Sequence, residues 1–87
     1  MGKYFNPPTD TELLEAGGRQ IEASSYAESQ NKLQTRELLI GLFDCGMYCC
    51  APLIDSQEEW DWQMTQEQTF LGLFAVPADE AAKRISR

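Results

Sequence analysis

The sequence predicts a small α+β domain in which helices pack on an antiparallel sheet of two or three strands. Three capping-box patterns mark helix starts, and two apolar runs of similar pattern mark paired strands. The chain has 87 residues, of which 43% are hydrophobic and 24% are charged, a composition typical of one globular domain. We therefore expect a single domain over residues 1–87, with residues 1–8 as an extended N-terminal arm.

The first two helices begin at a Ser or Thr that is followed three residues later by Glu. Thr9 opens a helix that ends at Gly17-Gly18, since glycine often terminates a helix. Ser25 opens a polar second helix over residues 26–34. Residues 19–23 fit either an edge strand or a helical continuation, and the pattern leaves both open.

Two further helices are predicted in the C-terminal half. Ser56 begins a third capping box, which opens a helix over residues 57–67. After Pro77, acids followed by bases predict a short fourth helix, because this order matches the helix dipole.

Two apolar runs predict the central strands of the sheet. Residues 38–43 read Leu-Leu-Ile-Gly-Leu-Phe, and residues 70–74 read Phe-Leu-Gly-Leu-Phe. The shared pattern predicts two paired strands, each with Gly where backbones approach or where a bulge sits. A buried helix over residues 38–43 is the competing interpretation of the first run.

Charge is distributed unevenly along the chain. Fourteen acids and seven bases give a formal net charge of −7, and nine of the acids but no base fall in residues 37–82. We expect these carboxylates to lack local partners and to project a negative field over about 8–10 Å. Such a field disfavours nucleic acid and anionic membranes as direct partners and favours a basic protein or nucleoprotein complex. The alternative is an acidic surface that only keeps the protein in solution.

The segment over residues 55–67 combines carboxylates with two tryptophans. On a helix Trp60 and Trp62 point about 200° apart, so we expect one to pack and the other to be exposed. An exposed indole beside carboxylates suits a partner rich in Lys or Arg, because cation–π contacts and charge-assisted hydrogen bonds add. The candidate partner-binding residues are Asp55, Glu58, Glu59, Trp60, Asp61, Trp62 and Glu67. The simpler interpretation makes Trp60 and Met64 the core face of the helix, with Trp62 at its rim.

The three cysteines, Cys45, Cys49 and Cys50, cannot all pair within the chain, which favours a reducing cytoplasm. Their C-x3-C-C spacing lacks the second pair that a structural zinc site needs, so we expect no metal and no other cofactor. We interpret them as small, buried core side chains. Residues 47–54 carry no charge and are either packed or an exposed apolar patch.

Patterns that indicate catalysis are missing. The chain has no His, which removes the usual general base, and it has neither a nucleophile elbow nor a phosphate-binding Gly loop. The most apolar window, residues 38–54, is too short to span a bilayer. We therefore expect a non-enzymatic cytoplasmic protein.

In its size, acidity and lack of catalytic residues, the chain resembles the anti-CRISPR proteins that phages and other mobile elements use against bacterial defence. The resemblance lies in overall character rather than in a motif. It implies an inhibitor in the host bacterial cytoplasm that blocks a basic nucleic-acid-handling complex by occupying surface meant for guide, target DNA or nuclease. One alternative is a small regulatory or structural subunit that docks or self-associates through residues 45–54, and another is a small metal or redox protein that uses the three cysteines. In each case the chain is expected to be a monomer or a homodimer.

Overall fold

The computed structural model describes residues 3–86, in which short helices alternate with strands. The helices are α1 (Asp10–Glu15), α2 (Tyr26–Lys32), α3 (Gln57–Met64) and α4 (Ala78–Ala82). The strands are β1 (Tyr4–Phe5), β2 (Arg19–Ile21), β3 (Glu37–Asp44), β4 (Cys49–Cys50), β5 (Thr69–Pro77) and β6 (Ile85–Ser86). The predicted α+β class and the four predicted helices are confirmed.

The two apolar runs pair as predicted and form the centre of the sheet. β2, β5, β3 and β4 lie side by side in that order, all antiparallel. In the central pair, Gly41 lies opposite Leu73, and Leu42 lies opposite Gly72. The register then shifts by one residue, which leaves Leu71 without a residue opposite it. A bulge therefore sits beside one of the two glycines, as the sequence predicted.

The edges of the sheet are the part that the sequence left open or missed. Residues 19–23, which fitted a strand or a helix, contain the edge strand β2. β4 has only two residues and pairs with the end of β3. With β4 the sheet has four strands instead of the predicted two or three. The sequence did not predict β4, because so short a strand shows no apolar run.

Helices cover both faces of the sheet, so each face has its own core. Side chains alternate between the faces along β3 and β5. The first face carries α1 and α4, and its buried residues are Phe5, Leu13, Ala16, Ile40, Leu42, Ala51, Leu53, Phe74, Val76 and Ala81. The second face carries α2 and α3, and its buried residues are Ile21, Leu39, Ile54, Trp60, Leu73 and Ala75. α3 is therefore anchored on the second face through Trp60.

The N-terminal segment is part of the first core. β1 pairs antiparallel with β6, so strands from the two ends of the described chain meet. Phe5 is completely buried, and its N–H donates to the Ala51 carbonyl at 2.8 Å. The arm predicted for residues 1–8 is thus held to the fold by β1 and Phe5, although Lys3, Tyr4, Asn6 and Pro7 are exposed. Residues 1–2 lie outside the described residues.

The three predicted N-caps are confirmed, but the capping boxes are incomplete. The side chains of Thr9, Ser25 and Ser56 each accept a hydrogen bond of 3.0–3.1 Å from the backbone N–H three residues on. The three glutamates bind donors other than the cap residue's own N–H: Glu12 accepts from Arg84, Glu28 from Ser24 and Glu59 from Gln63. The Arg84 and Gln63 side chains and the backbone N–H of Ser24 thus replace the reciprocal half of the three boxes.

Candidate functional site

The two tryptophans of α3 lie on opposite sides of the helix. Trp60 is only 8% exposed, and its ring meets that of Tyr26 edge-on at 6.2 Å. Trp62, two residues further on, is 61% exposed. The expectation that one indole packs while the other is exposed is confirmed, and only Trp62 presents its ring to a partner.

Two carboxylates share the exposed side of α3 with Trp62. Glu58 lies one helical turn before Trp62, Asp61 is adjacent to it, and both are exposed. The amide Nε2 of Gln57 donates to Asp61 Oδ1 at 3.0 Å. Across residues 3–86, neither carboxylate has a Lys or Arg within ion-pair distance. This side of α3 therefore offers one indole and two carboxylates that no cation of the described residues neutralises.

Three of the other predicted binding residues lie off this side of the helix. Asp55 is exposed but precedes the N-cap Ser56. Glu59 is half-buried, and its carboxylate accepts a 2.8 Å hydrogen bond from Gln63 Nε2. Trp60 belongs to the core, so it is not available as a contact. Its role is to hold α3 on the sheet.

Glu67 lies beyond the helix rather than on it. α3 ends at Met64 and not at residue 67 as predicted, and Gln66 to Gln68 form the bend that leads into β5. Glu67 is exposed there and lines the same groove as Trp62. The bend thus adds a further carboxylate to the groove that Trp62 lines.

Within residues 3–86, two carboxylates of the acidic stretch pair with a cationic side chain that lies outside the stretch. Glu37 accepts two hydrogen bonds from Arg19, at 2.9 and 3.2 Å, and these bonds lower the pKa of Glu37. Glu80 pairs with Lys83 at 3.1 Å. The expectation that the carboxylates of residues 37–82 lack partners is wrong for these two, because cations outside the stretch reach them.

The unpaired charge of this stretch is concentrated around α3. Seven of its nine carboxylates form no ion pair with any part of the chain that the structure describes. Five of the seven lie in or beside α3: Asp55, Glu58, Glu59, Asp61 and Glu67. Most of the unpaired negative charge of residues 37–82 therefore lies on this helix and the segments beside it.

A groove of about 780 Å³ adjoins the exposed side of α3. Its walls carry three partly exposed aromatic side chains from separate segments, namely Tyr4 of β1, Tyr48 before β4 and Trp62. None of the described residues that line it is Lys or Arg. Rings without a competing cation suit an apolar or cationic side chain, because a guanidinium or ammonium is attracted to an aromatic face.

Burial together with nearby groups raises the pKa of the Tyr4 hydroxyl above its ordinary value of 10.0. Desolvation is the largest cause that raises the pKa of Tyr4, and Cys50 and Glu59 add to it. At neutral pH the hydroxyl remains a hydrogen-bond donor at the wall of the groove.

Two thiols meet at the groove. Cys45 Sγ and Cys50 Sγ are 3.2 Å apart, and Gln68 Oε1 lies 3.4 Å from the first and 3.8 Å from the second. Burial raises the pKa of Cys50 to about 12, and Cys45 and Cys49 add to the shift. All three cysteines are only half-buried, so their interpretation as buried core side chains is wrong. They line an open groove at the sheet edge.

The uncharged residues 47–54 divide into an exposed tip and a packed segment. Met47 and Tyr48 are 95% and 68% exposed, whereas residues 51–54 are all buried. Of the two interpretations, packing therefore holds for residues 51–54. A docking surface in this loop is limited to Met47 and Tyr48.

Sequence reasoning did not place Tyr4, Tyr48 and Gln68 together in one groove with Trp62. They come from three segments that meet only because β1 and β4 lie near the end of α3. No spacing in the sequence connects them. The one local signal was an aromatic residue inside an uncharged, cysteine-rich loop.

Within residues 3–86, no group of three or more His, Cys, Asp or Glu side chains is arranged to hold a metal ion. In the same range, no helix has the length and apolarity that crossing a membrane requires. Comparisons of the chain with protein-family models, with curated proteins and with solved structures found no match.

Proposed function

We propose that the protein is a non-enzymatic binding protein whose exposed α3 side and adjoining groove dock on a basic surface of another protein or nucleoprotein complex. The observation that carries the proposal is the position of Trp62. It is 61% exposed on the same helix side as Glu58 and Asp61, which have no cationic partner in residues 3–86.

The exposed indole supplies affinity. A tryptophan that leaves water at the centre of an interface is among the strongest single contributors to binding. Tyr4 and Tyr48 extend the aromatic surface into the groove, so a Lys or Arg side chain of the partner can contact more than one ring.

The carboxylates steer the partner towards α3 and raise its association rate. Five unpaired acids in or beside α3 attract a cationic surface before contact, which raises the association rate at low salt. Carboxylates that face a channel lined by Lys and Arg use the same electrostatics as the phosphates of a nucleic acid.

The narrower form of the proposal is an inhibitor of the anti-CRISPR kind that acts in the bacterial cytoplasm. It would occupy the basic surface of a nucleic-acid-handling defence complex, without itself binding nucleic acid or a membrane. The resemblance in size and acidity supports it, and so does the concentration of acids beside one exposed aromatic residue.

The experiment measures target-DNA cleavage by CRISPR effector complexes in the presence of excess protein. We expect the natural chain to inhibit at least one complex, and Glu58→Lys with Asp61→Lys to abolish that inhibition. The matched control is Glu15→Lys with Glu22→Lys, which reverses the same number of exposed charges outside α3 and should still inhibit. No inhibition of any complex would overturn the narrower form, and equal loss in both variants would overturn the assignment to α3.

A second candidate function is a subunit that self-associates through the loop tip. It is favoured by the exposure of Met47 and Tyr48, since a large apolar tip suits an interface. In this case sedimentation should give a dimer mass at high concentration, and Met47→Ser with Tyr48→Ser should return the monomer. A monomer mass for the natural chain at all concentrations would contradict it.

A further inference from the structure

The two sulfur atoms at the groove are placed for a bond that the reduced protein does not contain. Cys45 Sγ and Cys50 Sγ are 3.2 Å apart, whereas the atoms of a disulfide are about 2.05 Å apart. We propose that Cys45 and Cys50 are a redox-modification site that forms an intramolecular disulfide with a hydroperoxide oxidant, and that Cys49 stays free.

The register of the hairpin selects this pair. Phe43 lies opposite Cys50, and Asp44 lies opposite Cys49, while the Cys45 N–H donates to the Tyr48 carbonyl at 2.9 Å. Because side chains alternate along paired strands, Cys45 and Cys50 fall on the same side of the hairpin and Cys49 on the other. The adjacent cysteines of β4 therefore point apart.

The surroundings allow the bond to form. Both sulfurs line an open groove, which a small oxidant can enter. The residues between the two strands, 46–48, are exposed. The position of Gly46 is surrounded by open space, so the loop has room for the shift of about 1 Å that bond formation requires.

The chemistry assigns different roles to the two sulfurs. Burial raises the pKa of Cys50 and so disfavours its thiolate, which is the reactive form of a cysteine; we therefore place the first reaction on Cys45. Its thiolate attacks the outer oxygen of the hydroperoxide, the O–O bond breaks, and the alkoxide leaves and takes up a proton. This step leaves a sulfenic acid on Cys45.

The second step closes the disulfide. Cys50 sulfur attacks Cys45 sulfur, the S–O bond breaks, and hydroxide leaves as water with the proton of Cys50. Two electrons pass from the two sulfurs to the hydroperoxide, which is reduced to an alcohol and water. A dithiol reductant reverses the oxidation by thiol–disulfide exchange.

Oxidation also removes hydrogen bonds from Gln68, the residue that links the two thiols to α3. Gln68 Oε1 lies within hydrogen-bond distance of both thiols, and Gln68 Nε2 donates to the Gln63 carbonyl at 2.9 Å and to Gln63 Oε1 at 3.0 Å. A disulfide has no S–H donor, so Gln68 Oε1 loses its hydrogen bonds from Cys45 and Cys50. The inference is independent of the proposed function.

The test is peptide mapping of the purified protein after mild treatment with tert-butyl hydroperoxide and alkylation of the remaining thiols. No Lys or Arg lies between residues 37 and 82, so trypsin leaves all three cysteines in one fragment. Chymotrypsin cleavage after Tyr48 separates Cys45 from Cys49 and Cys50 instead. The expected product is a linked pair of peptides, with the alkyl group on Cys49 and a protein mass lower by about 2 Da before alkylation.

Matched variants check the assignment. Cys49→Ser should form the same linked pair, whereas Cys45→Ser should form no intramolecular link. The natural chain alone already shows whether Cys45 is bonded to Cys50 or to Cys49, since fragmentation of the linked peptides distinguishes these two cysteines. A bond to Cys49, a bond between two protein molecules, or three thiols that all remain free would each overturn the proposal.

Discussion

Arg84 donates a hydrogen bond of 2.8 Å to the Glu12 carboxylate, although 72 residues separate the two in the chain. The same guanidinium lies 5.9 Å from the centre of the Phe5 ring. Both side chains of the ion pair are about 30% exposed, at 28% and 31%, so solvent screens the pair only in part. This contact joins α1 to the segment between α4 and β6, and it closes the first core.

Removing this contact should cost measurable stability. Arg84→Met loses the charged hydrogen bond and the ring contact, and we expect the free energy of unfolding to fall by about 1–2 kcal/mol in urea titrations. Lys83→Met is the control, because its pair with Glu80 is more exposed and contributes about 0.5 kcal/mol or less. Equal losses in the two variants would contradict this account of the pair.

The two glycines of the central strands should differ in their tolerance of a methyl group. A Cβ on Gly41 would lie 2.7 Å from Phe43 Cε1 and 2.9 Å from Ile54 Cδ1. Both neighbours are fully buried, so we expect Gly41→Ala to cost about 1–3 kcal/mol in thermal or urea unfolding. A Cβ on Gly72 would instead meet the amide end of Gln20 at 2.8 Å. That side chain is exposed and can move, so Gly72→Ala should lower the free energy of unfolding clearly less than Gly41→Ala. A larger loss in Gly72→Ala than in Gly41→Ala would contradict this explanation.

Replacing each tryptophan in turn tests which of them belongs to the core. Trp60→Ala should lower the free energy of unfolding by about 3–5 kcal/mol, because it empties the centre of the second core. Trp62→Ala should change it by about 0.5 kcal/mol or less, since its ring is largely in solvent. Comparable losses would mean that Trp62 has a structural role.

Stability should decrease in acid through Glu37. Hydrogen bonds from Arg19 hold the pKa of Glu37 below its ordinary value of 4.5. A carboxyl whose pKa is lowered by folding contributes stability above its unfolded pKa, and this contribution is lost as the pH falls through the folded pKa. We expect urea midpoints to decrease below pH 4.5 and Glu37→Gln to flatten that decrease. Glu58→Gln, which removes a carboxylate without an ion pair in residues 3–86, should leave the decrease in place.

Local patterns predicted the elements that follow local rules. An N-cap depends on a side chain and an N–H three residues away, so Thr9, Ser25 and Ser56 were identifiable from spacing alone. The central strands were identifiable because each is a long apolar run. The two-residue strands β1, β4 and β6 were not, because their pairing depends on tertiary packing that no short pattern encodes.

In the candidate site, too, the features set by local spacing were predictable and those set by tertiary packing were not. The helical period fixes that Trp60 and Trp62 face apart, and the burial of Leu39 and Leu73 beneath α3 decides which one packs. The groove was not predictable, since Tyr4, Tyr48 and Trp62 line it from segments far apart in the chain. The partner of Glu12 was not predictable either, because Arg84 comes within hydrogen-bond distance of it only in the folded chain.

The most direct test of the α3 docking surface uses the two indole N–H signals in a nuclear magnetic resonance titration. The ¹⁵N-labelled protein is titrated with a synthetic arginine-rich peptide, at low and high salt, and with a control peptide in which Gln replaces Arg. We expect the Trp62 signal to shift saturably with the arginine peptide, more weakly at high salt, while the Trp60 signal stays in place because its ring is buried. Equal shifts of both signals, or a Trp62 signal that ignores the arginine peptide or responds equally to the control peptide, would contradict the account.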